Sequence, residues 1–499
     1  MYGEERVDYR WPVHQRLGGG AGAVSRRVLF ARLPLAVAVA ALAGCGGAAI
    51  RPSPLSNARH PDQAFPGPSH MGALSSPVPR VVIPSIAVPT PTPSPSPTPA
   101  PRTISLWTTR SDSAWIAALR EAIGVFRATR PYLTVEVTGG RDDFGDIVAG
   151  LGTGNGPDAI EPGDLVPFAA RGLLKPLDTL LSPATVSSAN YLPAMWENGR
   201  WQGTTYGIPA LDHGPELGLV WNTSLTATAT APRTWDELYL FGQRLTRQDA
   251  SGAIQSLGFD PLDGVGGLLD TARDVTGAPW FDAANGRVTL ASAPYEEYLQ
   301  GIATFYSKIG TDRIISFRQT HHLLTSSRQG AINEGKQVAL LDGYWSVAEI
   351  ARFAADASWR FEFTWVPSSP PGTTIQRIGG RVLGIPSAAR YPDAAWELVV
   401  FLAGDTTNRL LCVRIGTCAM TRSFLASGAW SVHPGLAFYV DSLRSAARLV
   451  SRGSNAVTGY AQAKWAQAIT GVLTGRLSIK DALTAAQNAI QVAAGRARV

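Results

Sequence analysis

Apolar positions recur along this chain with two spacings, a helical one and a strand-like one, and the two alternate. Ile104-Ser105-Leu106-Trp107 reads as a short strand. Ser111, Asp112 or Ser113 then supplies a helix cap, and Trp115, Leu119, Ala122, Ile123 and Phe126 share one helical face up to a stop at Pro131. Thr134-Val135-Glu136-Val137 alternates as a second strand. Phe144, Ile147, Val148 and Leu151 mark a second helix, which Gly156-Pro157 breaks ahead of Asp158-Ala159-Ile160. Farther on, Ala394, Leu398, Val399, Phe401 and Leu402 form a helical stripe behind Pro392-Asp393, and Ala461, Trp465, Ile469, Val472 and Leu473 form another. Strands and helices in alternation predict an α/β fold with largely parallel sheets.

The first hundred residues follow another pattern. Leu33 to Leu42 is an apolar run of ten residues behind Ser25-Arg26-Arg27-Val28-Leu29-Phe30. A bilayer span needs about 20 apolar residues, so this run predicts an export signal and not a transmembrane helix. The Arg pair resembles a twin-arginine signal and equally suits the n-region of the general secretory route. Leu42-Ala43-Gly44-Cys45 resembles the lipobox of bacterial lipoproteins, which implies lipidation of Cys45 after removal of 1–44. Residues 45–102 are rich in Pro, Ser and Thr, with alternating prolines at 89–99. Proline fixes φ and removes the amide donor, so this segment is expected to be an extended tether.

Charge sharpens that division. The sequence pI is near 9.3, but ten of the 44 basic and only four of the 38 acidic residues fall in 1–102. The body, 103–499, therefore carries 34 of each sign and offers no phosphate-binding surface, so no nucleic-acid partner is expected. Cys45 aside, the cysteines are Cys412 and Cys418, six positions apart, and outside the cytoplasm such a pair predicts a disulfide.

Several segments in fixed order carry a resemblance. They are Leu106-Trp107-Thr108, Gly152-Thr153-Gly154-Asn155-Gly156-Pro157-Asp158, Gly172-Leu173-Leu174-Lys175-Pro176-Leu177 and Tyr206-Gly207-Ile208-Pro209. Val220-Trp221-Asn222, Pro232 with Trp235-Asp236-Glu237-Leu238, Gly335-Lys336-Gln337-Val338-Ala339, Asp342-Gly343-Tyr344-Trp345, Gly379-Gly380 and Ala394-Ala395-Trp396-Glu397 follow. Together they resemble the extracellular solute-binding proteins of ABC importers, family 1, which includes many sugar binders. Leu340-Leu341 departs from the family's usual methionine.

The resemblance implies a two-lobed periplasmic-binding-protein-like fold, each lobe a largely parallel sheet flanked by helices, joined by hinge crossovers. The first lobe is expected at about 103–211 and 380–428, the second at about 212–379 and 429–499. Crossovers are placed near Pro209–Pro215, near Gly379-Gly380 and near 425–432. The function implied is capture of a solute, with carbohydrate the favoured class, for delivery to importer permease subunits by a membrane-tethered monomer. No cofactor, metal or catalysis is expected.

Sugars are held by flat apolar faces and planar hydrogen-bonding groups, and 13 of the 14 tryptophans lie in the body. Trp345 aligns with a family position that stacks on sugar, and Tyr344 stands beside it. Arg110 and Asp112 follow the first strand, Glu161 and Asp164 follow the Asp158-Ala159-Ile160 strand, and Asp212 and His213 lie at the first crossover. Phe259 and Trp280 resemble second-lobe cleft aromatics, and His433 and Tyr439 a late cleft segment. Each of these also has an ordinary alternative as a core, capping or solvent residue.

Rival chemistries find little support. Gly330 to Lys336 has the spacing of a phosphate-binding loop, but Gln337 stands where a magnesium-holding Ser or Thr is needed. His321 and His322 are adjacent and diverge on either a helix or a strand. No Gly-x-Ser-x-Gly, His-Glu-x-x-His or Cys-x-x-Cys occurs. An exported carbohydrate-active enzyme, a receptor for a non-sugar solute and a lipoprotein serving a sensor are the alternatives.

Overall fold

A computed structural model describes residues 100–497, apart from 142–143, 153–155, 227–229, 322–324 and 368–371. The signal, Cys45 and nearly all of the tether lie outside these residues. The first helix, Ser113–Thr129, begins where Asp112 Oδ1 accepts the Trp115 N–H at 2.9 Å, which settles the cap among the three candidates. It buries Trp115, Ala118, Leu119, Ala122, Ile123 and Phe126 against the first sheet.

That sheet has six strands. Arg102–Thr108 is flanked in parallel by Leu133–Thr138 and Ala159–Glu161, with Ile104 opposite Val135 and Leu106 opposite Ala159. Ile375–Gly384 joins it antiparallel to Ala159–Glu161, pairs antiparallel with Gly207–Pro215, and carries Arg448–Ser451 in parallel at the edge. The second sheet has the order 361–364, 219–222, 337–341, 254–259, 247–248. Here only Gln337–Leu341 and Ile254–Phe259 run parallel, so this lobe is mixed and not largely parallel. The cause is local. Leu219–Asn222 follows the first crossover after three residues, so it enters the sheet from the hinge side and runs against its neighbours.

Two apolar cores, one per sheet, trace the lobes. Residues from Ile104 to Leu211 and from Ile378 to Leu443 fill the first. Leu217 to Leu341 and the C-terminal helices Thr458–Leu473 and Ile479–Ala497 fill the second, where Trp465 packs edge-on to Tyr295. The stretch 429–451 was expected in the second lobe, but it belongs to the first. Leu436, Tyr439, Val440 and Leu443 form a helical stripe buried in the first core, and Arg448–Ser451 completes the first sheet. The third passage between cores therefore lies at 452–457 and not at 425–432.

The other passages share one crowded site. Leu211 is held at φ 65, a left-handed conformation unusual for a β-carbon residue, immediately before Asp212. Gly380, at φ 134, lies where a β-carbon would collide with the Asp212 carbonyl, and a β-bulge follows it before Val382. The Gly379-Gly380 pair thus lets the two crossover strands touch. Arg377, fully buried beside them, donates to Glu216 at 2.7 Å and to Asp274 at 2.9 Å. Among the described residues no helix is long and apolar enough to cross a membrane.

Candidate functional site

The side chains of interest collect where strand ends of the first sheet meet the loop after Gln337–Leu341. Arg110, two residues beyond the first strand, donates from Nε to Asp112 Oδ2 and from Nη1 to Asp212 Oδ2, each at 2.9 Å. Its guanidinium also lies over the Trp115 ring, 5.5 Å from the centroid. Asp212 receives the Tyr344 hydroxyl on its other oxygen at 2.6 Å, so an arginine of the first lobe and a tyrosine from the second-lobe loop share one crossover carboxylate. Tyr344 is itself buried in the first core, with its hydroxyl also 2.8 Å from the Cys418 carbonyl.

Glu161 closes the Ala159–Glu161 strand and is buried. Its Oε2 accepts a short hydrogen bond from Thr108, and Arg381 stands 3.2 Å from Oε1 as an ion pair. That contact lacks hydrogen-bond geometry, so Oε1 has no donor. Burial, opposed by Arg381, pushes the Glu161 carboxyl up to about 7. Arg381 also donates to Thr109. Asp164 accepts from Val166 N–H at 3.1 Å and from the Ser454 hydroxyl, which joins the first lobe to the third passage.

Trp345 is half-buried, packs against both cores and meets Tyr344 edge-on at 5.8 Å. A β-carbon at Gly343 would strike its ring, so the glycine is what lets the indole lie there. Behind it, Asp342 Oδ1 accepts the Gly343 N–H at 2.9 Å, and the Thr325 hydroxyl stands 3.1 Å from Asp342 Oδ2 and 2.5 Å from Glu349 Oε2. Burial raises Glu349 to about 7, and Arg110, Asp212 and Asp112 are all within electrostatic reach of it.

The structure thus brings Arg110, Asp112, Asp212, Tyr344 and Trp345 together, with Glu161 alongside, whereas Asp164 is bonded to Ser454 at the third passage. Other expectations require correction. His213 is a fully buried hinge residue: Nδ1 donates to the Arg381 carbonyl at 2.9 Å, Nε2 accepts from Asn198 at 3.3 Å, and burial lowers it to about 4. Phe259 and Trp280 are buried in the second core, Phe259 beneath Gly242 and Phe305 and Trp280 against Phe281. Tyr439 lies in the first core with its hydroxyl on the Asp342 carbonyl at 2.9 Å. His433 holds the Cys412 carbonyl at 2.8 Å, at the end of helix Asp405–Ile415. The rings of His213, Phe259, Trp280 and Tyr439 are buried, and His433 is half-buried.

Cys412 and Cys418 are free buried thiols and not a disulfide. The left-handed Gly416 ends the helix that carries Cys412, and burial, with the neighbouring Cys412, pushes the Cys418 thiol up. Thr325, Arg381 and Glu349 escaped the sequence reading. Glu349 occupies a polar position of a short amphipathic helix, Ser346–Phe353, which looks like a solvent face, whereas Arg381 carried a signal in the Gly-Gly pair before it.

Among the described residues no group of three or more His, Cys, Asp or Glu is placed to hold a metal. A cavity of about 320 Å³ is lined by Thr103, Ser105, Trp107, Glu136, Thr138 and Arg390, but it is built from the first lobe alone.

The family described as bacterial extracellular solute-binding protein matches residues 107–408. No curated protein matches this sequence. Among solved structures, CpMnBP1 with mannobiose bound superposes with a TM-score of 0.70 at 18% identity, covering 78% of this chain and 99% of that one. The maltose/maltodextrin-binding domain MalE from Bdellovibrio bacteriovorus, bound to maltotriose, gives 0.63 at 19% identity over 78% and 99%. The cyclic α-maltosyl-1,6-maltose binding protein from Arthrobacter globiformis gives 0.61 at 21% identity over 80% and 100%. These likenesses establish a shared two-lobed fold.

Proposed function

The chain belongs to the bacterial extracellular solute-binding proteins, and from that membership we propose that it captures a sugar or oligosaccharide outside the cell membrane and delivers it to the permease of an ABC importer. The observation that carries this reading is the junction of Arg110, Asp212 and Tyr344 beside the half-buried Trp345. Charged planar groups from one lobe and an indole from the other converge there at strand ends, the usual location of ligands on α/β sheets. A guanidinium and carboxylates bond to hydroxyls in the plane, and an indole packs on the apolar face of a pyranose. Similar proteins are solved with mannobiose and with maltotriose bound, and another is a cyclic α-maltosyl-1,6-maltose binding protein, which supports carbohydrate as the class.

Three passages at 212–217, 375–378 and 452–457 serve as the hinge, and closure about them signals occupancy to the permease. Lipidated Cys45 and the tether 46–102 hold the body near the importer. Their reach is roughly 40 Å as a coil and roughly 180 Å when extended. The body binds and releases its ligand unchanged.

A thermal-shift screen across mono- and oligosaccharides, amino acids, polyamines and sugar phosphates tests this. A ligand at 100 times its Kd stabilises by about 2.7 kcal/mol. A clear shift with at least one sugar is expected. Shifts with another class and with no sugar overturn the ligand assignment. Separately, Cys45→Ser is expected to release the protein from the membrane, and unchanged membrane association would refute the anchor.

A further inference from the structure

The carboxyls at the lobe junction differ in the cations they meet. Arg110 neutralises Asp112 and Asp212, and Arg381 stands on Glu161. On the second-lobe side, Asp342 and Glu349 have no cation in ion-pair contact among the described residues; the Arg110 guanidinium only influences Glu349 from a distance. One hydroxyl, that of Thr325, lies between them, 3.1 Å from Asp342 Oδ2 and 2.5 Å from Glu349 Oε2. A hydroxyl has a single hydrogen and ionised carboxylates only accept. Burial raises both carboxyls above their ordinary range, Asp342 also through the neighbouring Glu349, so the pair resists carrying two negative charges while no cation stands on it. Asp342 has a second donor, the Gly343 N–H at 2.9 Å. Among the described residues no second donor reaches the Glu349 carboxyl.

A second shortage lies across the junction. Glu161, fully buried, keeps Oε1 without a hydrogen-bond donor and is within electrostatic reach of Arg110 and Asp212. Glu161 Oε1 thus lacks a donor in the first lobe, and in the second Glu349 has the Thr325 hydroxyl but, among the described residues, no cation in contact. A neutral polyol supplies donors but no charge. A protonated amine supplies up to three donors together with a positive charge that would favour the ionised form of Glu349.

We propose that Glu349 is a specificity-determining residue of this junction and that the ligand is an amino sugar whose protonated amine lies against it. Thr325 holds the Glu349 carboxylate in position, while Arg110 and Asp212 take the ring hydroxyls from the opposite lobe. This rests on the sugar-receptor reading above and narrows its substrate class.

The test compares three disaccharides that differ at one substituent: the glucosamine disaccharide, its N-acetylated form and cellobiose, each titrated into the wild type and Glu349→Gln. The wild type is expected to bind the amine at least about tenfold tighter than cellobiose, with the N-acetyl form no better than cellobiose. Glu349→Gln should bring the amine and cellobiose to within about threefold of each other. In the wild type the preference should also shrink as salt is raised, because it arises from charge, and this holds even if the variant fails to fold. Equal or weaker binding of the amine, no binding of the amine, a preference unchanged in Glu349→Gln, or one insensitive to salt overturns the inference. These results leave the sugar reading intact whenever any sugar registers in the wider screen; that reading fails only if no sugar does.

Discussion

The Tyr344 hydroxyl donates to Asp212 Oδ1 at 2.6 Å, across the point where the chain first passes between its cores. Tyr344 comes from the loop that ends a second-lobe strand, yet its ring is buried in the first core. The bond therefore fastens a second-lobe loop to a crossover strand. Tyr344→Phe keeps the ring and removes only the hydroxyl. A hydrogen bond to a charged acceptor is worth about 1.5–3 kcal/mol, so urea unfolding should show a loss of about that size. An unchanged midpoint would show that the bond does not couple these segments.

Arg110 grips Asp112 through Nε and Asp212 through Nη1. A lysine has one ammonium and cannot reproduce that fork. Arg110→Lys is thus expected to weaken ligand binding by about tenfold or more, equivalent to about 1.4 kcal/mol. Calorimetric titration decides it, and wild-type affinity in the lysine variant would remove Arg110 from the site.

Two buried groups give stability opposite pH slopes. His213 titrates near 4 in the fold against its ordinary 6.5, because burial disfavours its charged form. Between those values the unfolded chain binds the proton and the native protein does not, so stability falls as pH drops from 6.5 to 4. Glu161 titrates near 7 against 4.5, again through burial. Native protein holds that proton and unfolded chain does not, so its contribution is lost as pH rises from 4.5 to 7. Each full effect is roughly 3 kcal/mol. His213→Asn should flatten the acid limb of a stability–pH curve and Glu161→Gln the neutral limb; no change of slope in either variant would contradict these environments.

Cys412 and Cys418 are expected to react as two thiols in denaturant, without prior reduction. A thiol titration of the Cys45→Ser protein gives two if this holds. A count of zero would mean that the bridge forms.

The fold was largely legible from periodicity. Asp112 as a cap, the Trp115 to Phe126 face and the alternation of strand and helix all come from short-range rules, and the short-range structure obeys them. The lobe assignment of 429–451 was not, because the apolar stripe of Leu436–Ser445 says that a face is buried but not which core it enters. The same ambiguity explains the site. Arg110, Asp112 and Asp212 stood out by their places just after the first strand and at the first crossover, although Asp112 also serves as the helix cap. Phe259, Trp280 and Tyr439 did not sort themselves, since an aromatic ring suits a core and a sugar face equally. Glu349 was missed for the opposite reason: a carboxylate on a short helix looks ordinary until the fold brings Thr325 and Arg110 to it.

The central claim is that this body binds a sugar against Trp345. Titration calorimetry of wild type and Trp345→Ala, with the best sugar from the thermal screen, tests it most directly. The account predicts saturable heat at one site per chain in the wild type. In Trp345→Ala it predicts an affinity at least about tenfold lower, with the unfolding temperature of the free protein nearly unchanged, as expected for a half-buried ring that works by stacking on ligand. Saturable binding of a non-sugar solute with none for any sugar, or full wild-type affinity in Trp345→Ala, would contradict it.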